Sequence, residues 1–280
     1  MKRRRIAIVS GSFADSTLPL MKNLCQNGFD VDFYYCLFNK NTRVATGFDF
    51  SVNEKIKYGG VYELDYQKSF GCSFINQYPN SHIFIYQGTN TGANSSGLKK
   101  SIASFICKLT LKKLANVLNN GKYDLVELVG PATFIEWLHK LLKVKEVLMS
   151  FHEAFLNHMD MKTLQPSLVY AIEHGLKIRT FSVSVKNEVV QKTNKSVLNI
   201  EAIPFGLYTC YTDFDEICTH IKLPFTKYIL FSGFIAPYKG LSLLYNSIKK
   251  ELDNGEINLV IAGKGYDEAL QKLSLIHISE

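Results

Sequence analysis

Short runs of consecutive apolar residues alternate along the chain with segments whose apolar positions recur every three or four residues. This alternation predicts a parallel sheet covered by helices. The runs predict strands at Arg5 to Ser10, Val31 to Leu37, His82 to Tyr86, Leu125 to Val129, Glu146 to Phe151, Arg179 to Val183 and Val197 to Ile203. Two more follow, at Tyr228 to Phe231 and from Ile257 into a glycine turn at Gly263. Helical spacing falls at Thr17 to Asn27, Ser101 to Leu118, Ala132 to Leu142, Pro166 to His174, Val185 to Lys192 and Leu241 to Lys250. Gly47, Gly59, Gly60 and Gly71 break any pattern between Asn39 and Asn80, which predicts a loop or an added hairpin. Gln87 to Gly97 reads as a flexible connection, and no internal repeat is present. The fold class expected is α/β.

Length and composition leave open one large core or two smaller ones, with 280 residues and 46% apolar content. Cys25, Cys36, Cys72, Cys107, Cys210 and Cys218 form no Cys-x-x-Cys pair and no regular framework, so they read as buried thiols of a reducing compartment. A cytoplasmic protein is expected. Lys2 to Arg5 precede an apolar run too short for a signal peptide, and no stretch reaches the roughly 20 apolar residues a membrane span needs. The net charge of +7 is unevenly placed. Lys99, Lys100, Lys108, Lys112 and Lys113 accompany Ile102, Phe105, Ile106, Leu109 and Leu114, and Lys140, Lys143 and Lys145 lie among or after Trp137, Leu138, Leu141 and Leu142. Such helices either pack on a core with a solvated lysine face or dock peripherally on an anionic membrane. No aromatic-and-basic motif of nucleic-acid binding appears.

Chemistry concentrates at strand ends. Ser10, Gly11, Ser12, Phe13, Ala14 and Asp15 close the first strand and open a helix, where backbone N–H groups can meet a phosphate or sugar hydroxyl. This loop lacks Gly-x-Gly-x-x-Gly, and no P-loop occurs, which argues against dinucleotide binding and ordinary ATPase chemistry. His152 stands at the end of a strand, where an imidazole can contact a sugar hydroxyl or serve structurally. A zinc-peptidase motif through His152 and Glu153 would require histidine where Leu156 stands, and no metal site is expected. Lys239 lies between an apolar strand and a helix start, in the run from Phe231 to Gly240. An ammonium there suits a diphosphate, with a charge-assisted contact of roughly 1.5–3 kcal/mol. A solvated lysine before a glycine turn is the plainer reading.

The Phe231 to Gly240 run and the strand ending Ala262-Gly263-Lys264-Gly265 together resemble the donor domain of family 4 retaining glycosyltransferases of the GT-B fold. Those enzymes carry a Gly-x-x-x-x-x-Lys-Gly turn before a strand ending in Ala-Gly-x-Gly. Upstream, Ile203-Pro204-Phe205-Gly206-Leu207 resembles the family's Ile-Pro-Asn-Gly-Val linker, with Phe205 in place of asparagine. Tyr123-Asp124-Leu125-Val126-Glu127 resembles its Tyr-Asp strand, with Glu127 near a histidine position. Ser184 matches a serine that caps a helix. The resemblance implies a nucleotide-sugar donor used without a separate cofactor, and a glycan or lipid-linked acceptor at the inner face of a membrane. It implies that Gly11, Ser12, Gly233, Lys239, Gly240 and Gly263 bind the donor, with Gly11 facing the interdomain cleft. Lys239 and His152 would carry the chemistry, and His152, Glu153 and Glu127 the acceptor side.

The expected domains are 1–218, on the acceptor side and Rossmann-like, and 219–280, an incomplete Rossmann-like donor domain. About 60 residues are too few to cover both faces of a doubly wound sheet, so the chain reads as truncated, and the family's Glu-x₇-Glu motif should lie beyond Glu280. The last eight residues, from Leu273, resemble translated adapter sequence. Phe234 and Ala236 occupy positions where the family supplies an arginine, which keeps a non-catalytic GT-B-like binding or partner protein as the alternative.

Overall fold

The strands are divided between two units of the chain, Met1–Glu216 and Ile217–Glu280. The computed structural model describes residues 3–11, 14–38, 57–66, 72–89, 96–130, 133–157, 160–193, 199–204, 222–233 and 235–263. Expectations at Ser12, Phe205, Cys210, Cys218, Phe234 and the last eight residues fall outside them.

In chain order the strands of the first unit are β1 (Arg5–Ser10), β2 (Asp30–Leu37), β3 (Val61–Glu63), β4 (His82–Gln87), β5 (Leu125–Val129), β6 (Val147–Phe151), β7 (Phe155–Asn157), β8 (Asp160–Leu164), β9 (Lys177–Thr180) and β10 (Ile200–Ala202). Eight of them form one sheet in the order β10-β9-β6-β5-β1-β2-β4-β3. Its strands pair in parallel except β3, which runs antiparallel beside β4. β7 and β8 form a separate antiparallel hairpin. From β4 through β2 and β1 to β5, β6 and β9 the order is doubly wound, and it reverses at β1, between β2 and β5. The first unit is thus α/β and Rossmann-like.

Helices α1 (Ala14–Gln26), α2 (Gly97–Asn120), α3 (Thr133–His139), α4 (Pro166–Glu173) and α5 (Val183–Thr193) cover the sheet. Alternation along each strand sends side chains to two cores. Ile6, Ile8, Phe33 and Tyr35 meet Leu18, Met21 and Cys25 of α1 on one face. Ala7, Val9, Leu128, Met149 and Ile178 meet Leu111, Leu114, Phe134, Leu168 and Val189 on the other. The expected strand at Arg179 to Val183 ends at Thr180, because Ser182 starts a helix: its Oγ accepts the Val185 N–H at 3.1 Å. Ser184, the expected cap, lies inside α5 and donates to Glu188 Oε1 at 3.3 Å.

In the second unit β11 (Tyr228–Ser232) and β12 (Asn258–Ala262) pair in parallel. A 3₁₀ turn at Pro237–Lys239, then α6 (Leu241–Ser247) and α7 (Lys249–Asp253), connect them. The helix expected from Leu241 to Lys250 breaks at Ile248. Ser247 Oγ donates back to the Leu243 carbonyl at 2.8 Å, a local bond that competes with a straight helix. Buried Ile235 and Leu241, with Phe231, Tyr245, Leu259 and Ile261 packed on them, make a small core.

Candidate functional site

The carboxyl ends of β1, β5, β6 and β9 lie side by side on the first unit, at the edge where doubly wound sheets bind ligands. Gly11 follows β1 and is half-buried. A Cβ there would lie 2.7 Å from Phe134 Cε1 and 3.5 Å from Phe38 Cε2. The rings of Phe38 and Phe134 stand 4.5 Å apart, and Phe38 would also meet a Cβ at Gly88 at 2.7 Å. A side chain at Gly11 would therefore crowd the Phe134 ring, a packing reason for a small residue that is independent of ligand binding.

Glu127, Ser150 and Arg179 project from adjacent strands β5, β6 and β9 onto one face. Glu127 is 2% exposed and Arg179 7%. Ser150 Oγ donates to Glu127 Oε1 at 2.6 Å, and the Arg179 guanidinium pairs with that same oxygen. The same guanidinium lies 4.6 Å from the Phe181 ring centre, and the His152 ring lies 4.4 Å from Phe181 on a tilted plane. Burial, assisted by the positive charge of Arg179, pushes the His152 imidazole down to about 4. His152 is therefore neutral near pH 7, with one ring nitrogen able to donate and the other to accept. Glu127 is held in the ion pair, and Glu153 sits half-buried beside His152. Toward the amino ends of these strands a hollow of about 270 Å³ opens among Leu125, Glu146, Leu148, Lys177, Arg179 and Glu201.

The Tyr-Asp segment serves the opposite edge. Tyr123 donates to Asp32 Oδ2 at 2.6 Å, Arg5 reaches the same oxygen at 2.7 Å, and Asp124 accepts the Arg5 N–H at 2.8 Å. Asp32 is buried, so this network ties β1, β2 and the entry to β5 together at their amino ends.

On the second unit, the turns after β11 and β12 meet. Gly233 has φ 113° and donates its N–H to the Ala262 carbonyl at 2.9 Å. A methyl group on Gly263 would overlap the Gly233 carbonyl oxygen, so glycine is required there by backbone approach. Lys239 closes the 3₁₀ turn: its N–H bonds the Ala236 carbonyl at 2.9 Å, and Gly240 follows in the left-handed region with φ 79°. The Lys239 side chain is exposed, with Nζ 5.2 Å from the Tyr238 ring centre. Gly233 and Gly263 thus meet at the carboxyl end of one parallel strand pair, and Lys239 and Gly240 lie in the turn that leads from the first strand into the next helix.

The fold has solved counterparts. A protein assigned as a UDP-N-acetylglucosamine 2-epimerase from Listeria monocytogenes superposes with a TM-score of 0.50 at 10% identity, over 97% of this chain and 65% of its own. The UDP-N-acetylglucosamine 2-epimerase from Rickettsia bellii gives 0.49 at 12% identity, over 97% and 64%. CalG4, the calicheamicin glycosyltransferase, gives 0.45 at 8%, over 96% and 68%. The chain thus spans just under two thirds of the length of both epimerase structures. No protein-family model matches the sequence, and no curated protein matches it.

Sequence reasoning missed Arg179, Ser150 and Phe181 as neighbours of His152. The available signal was a charged residue at alternate positions of a short strand, Lys177 and Arg179, facing Glu127 on a strand of the same sheet. Among the described residues no group of three His, Cys, Asp or Glu side chains could hold a metal ion, and no helix is long and apolar enough to cross a membrane. Cys25, Cys36, Cys72 and Cys107 are buried cysteines in the thiol form.

Proposed function

We propose that the protein acts as a retaining, metal-independent glycosyltransferase of family 4 type that moves a hexosyl group from a nucleotide sugar to a hydroxyl of a glycan or lipid-linked acceptor. The observation that carries this reading is the second unit's turn, where Gly233 and Gly263 bring two strand ends together and the exposed Lys239 precedes Gly240. Lys239 would stabilise the departing diphosphate, the step an isolated ammonium helps most. Retention would follow from acceptor attack on the face the diphosphate leaves. His152, held neutral, suits a hydrogen bond to a sugar or acceptor hydroxyl. The donor is a substrate, and this reaction asks for no separate cofactor. The match to a structure named for UDP-N-acetylglucosamine supports the nucleotide-sugar class. A cytoplasmic enzyme at the inner membrane face fits a lipid-linked acceptor.

One observation favours a non-catalytic binding or partner protein. Ala236, one of the two positions where the resemblance expects a second cation, is an apolar residue buried at 9% beside Ile235. Saturation-transfer NMR with a panel of nucleoside diphosphates and their hexoses, followed by transfer assays, separates the two. The transferase reading expects binding and turnover, with Lys239→Ala lowering turnover about tenfold to a thousandfold, or about 1.4–4 kcal/mol. Binding without turnover supports the partner protein, and binding unaffected by Lys239→Ala removes Lys239 from the site.

A further inference from the structure

α2 carries two apolar stripes. Cys107, Leu111, Leu114, Ala115 and Leu118 are buried in the core. On the opposite side Leu98, Ile102, Phe105, Ile106 and Leu109 are exposed, Leu98 at 76% and Phe105 at 63%. Their spacing places them on one face of the helix, over a length of roughly 17 Å at 1.5 Å per residue. A helix that merely packs on a core presents its polar face to water; this one presents leucine, isoleucine and phenylalanine.

Charge surrounds that stripe. All five lysines of α2 are exposed, and the helix contains no aspartate or glutamate. At about 100° per residue, Lys99 borders one side of the stripe, Lys108 and Lys112 the other, and Lys113 follows it at its carboxyl end. Lys108 Nζ also lies 4.8 Å from the Trp137 ring centre, which holds it beside the helix.

We propose that this outer face of α2 is a docking surface for a membrane of anionic lipid. The five apolar side chains enter the boundary between headgroups and acyl chains, and the bordering lysines extend to lipid phosphates. A second copy of the chain fits this face poorly, because two α2 helices would oppose lysines with no carboxylate on either. Nucleic acid fits poorly as well, since the centre of the stripe is aliphatic with a single aromatic ring available for stacking. α2 returns from β4 to β5, both parallel strands, so its first turns lie at the carboxyl edge of the sheet that bears Gly11 and His152. Docking therefore places that edge near the bilayer. It requires no turnover and stands independently of the transferase proposal.

Co-sedimentation of the whole chain with vesicles of phosphatidylcholine, alone or mixed with phosphatidylglycerol, tests this. Binding is expected to the anionic vesicles alone and to fall with added salt. A Phe105→Ser, Ile106→Ser variant should lose about tenfold or more in partitioning, and so should a Lys99→Gln, Lys112→Gln, Lys113→Gln variant, with unchanged circular dichroism. Equal binding to neutral vesicles, no binding, or binding untouched by both variants would overturn the proposal. So would a concentration-dependent dimer abolished by the Phe105 variant, or retention of RNA lost with the lysines, in the absence of vesicle binding.

Discussion

The Gly233 carbonyl oxygen occupies the space a side chain on Gly263 would need, while the Gly233 N–H is bonded to Ala262. The two glycines that the sequence resemblance assigns to the donor are also one packing unit. Ligand binding and backbone approach make different demands on them. Gly263→Ala must push the two strand ends apart, whereas Gly233→Ala meets nothing within 4 Å and incurs only the strain of φ 113°. The second cost is about 1–2 kcal/mol. We expect Gly263→Ala to destabilise the β11–β12 pair more than Gly233→Ala, read as faster hydrogen exchange of the Gly233 amide and its neighbours. Equal protection in both variants would refute the close approach.

The Glu127–Arg179 pair predicts a marked asymmetry between single and double substitution. Both side chains are nearly fully buried, so removing either strands a charge in the interior. Glu127→Gln or Arg179→Met alone should cost about 3–5 kcal/mol in urea unfolding, and Glu127→Leu combined with Arg179→Met should recover much of it. Additive losses would mean that the two groups do not act as a pair.

How much was legible in advance depended on how local each cause is. Strands β1 and β5 were placed to the residue, because continuous apolar runs bounded by charge and glycine are a signal within a few residues. The β7–β8 hairpin went unseen, since its strands are three and five residues long and neither alternates cleanly. Asp32 with Tyr123, and Glu127 with Arg179, join residues 91 and 52 apart, which no local pattern connects. For α2, periodicity reported apolar residues but not which of two stripes the sheet would cover. The turn around Lys239 was legible as a strand, glycine and helix start, yet the reason for Gly263 lies across the sheet.

The start of α5 gives a clean test of capping. Ser182 Oγ accepts the Val185 N–H, while Ser184 makes only an exposed contact to Glu188. Ser182→Ala should therefore cost about 0.5–2 kcal/mol in thermal or urea unfolding, and Ser184→Ala a few tenths at most. The reverse order would return the cap to Ser184. Because Phe181 precedes the cap and packs on His152, the Ser182 variant should also shift the His152 imidazole resonances.

His152 links the fold to pH. Its imidazole is pushed from an ordinary 6.5 to about 4, first by burial and then by Arg179. Between those values the unfolded chain binds the proton more readily than the folded one. Its contribution therefore leaves stability flat above about pH 6.5 and lowers it as pH falls toward 4, where the folded imidazole charges too. NMR titration of the His152 ring should show no midpoint near 6.5. Phe181→Ala, which removes the ring at 4.4 Å and admits water, should move the midpoint upward. The stability loss between pH 6.5 and 4 should shrink in the same variant, because the gap between folded and unfolded affinities for the proton is what drives it. A wild-type midpoint near 6.5 would show the imidazole to be solvated. It would also remove the physical basis for a histidine that remains neutral, able to donate and accept, at the carboxyl edge of the sheet.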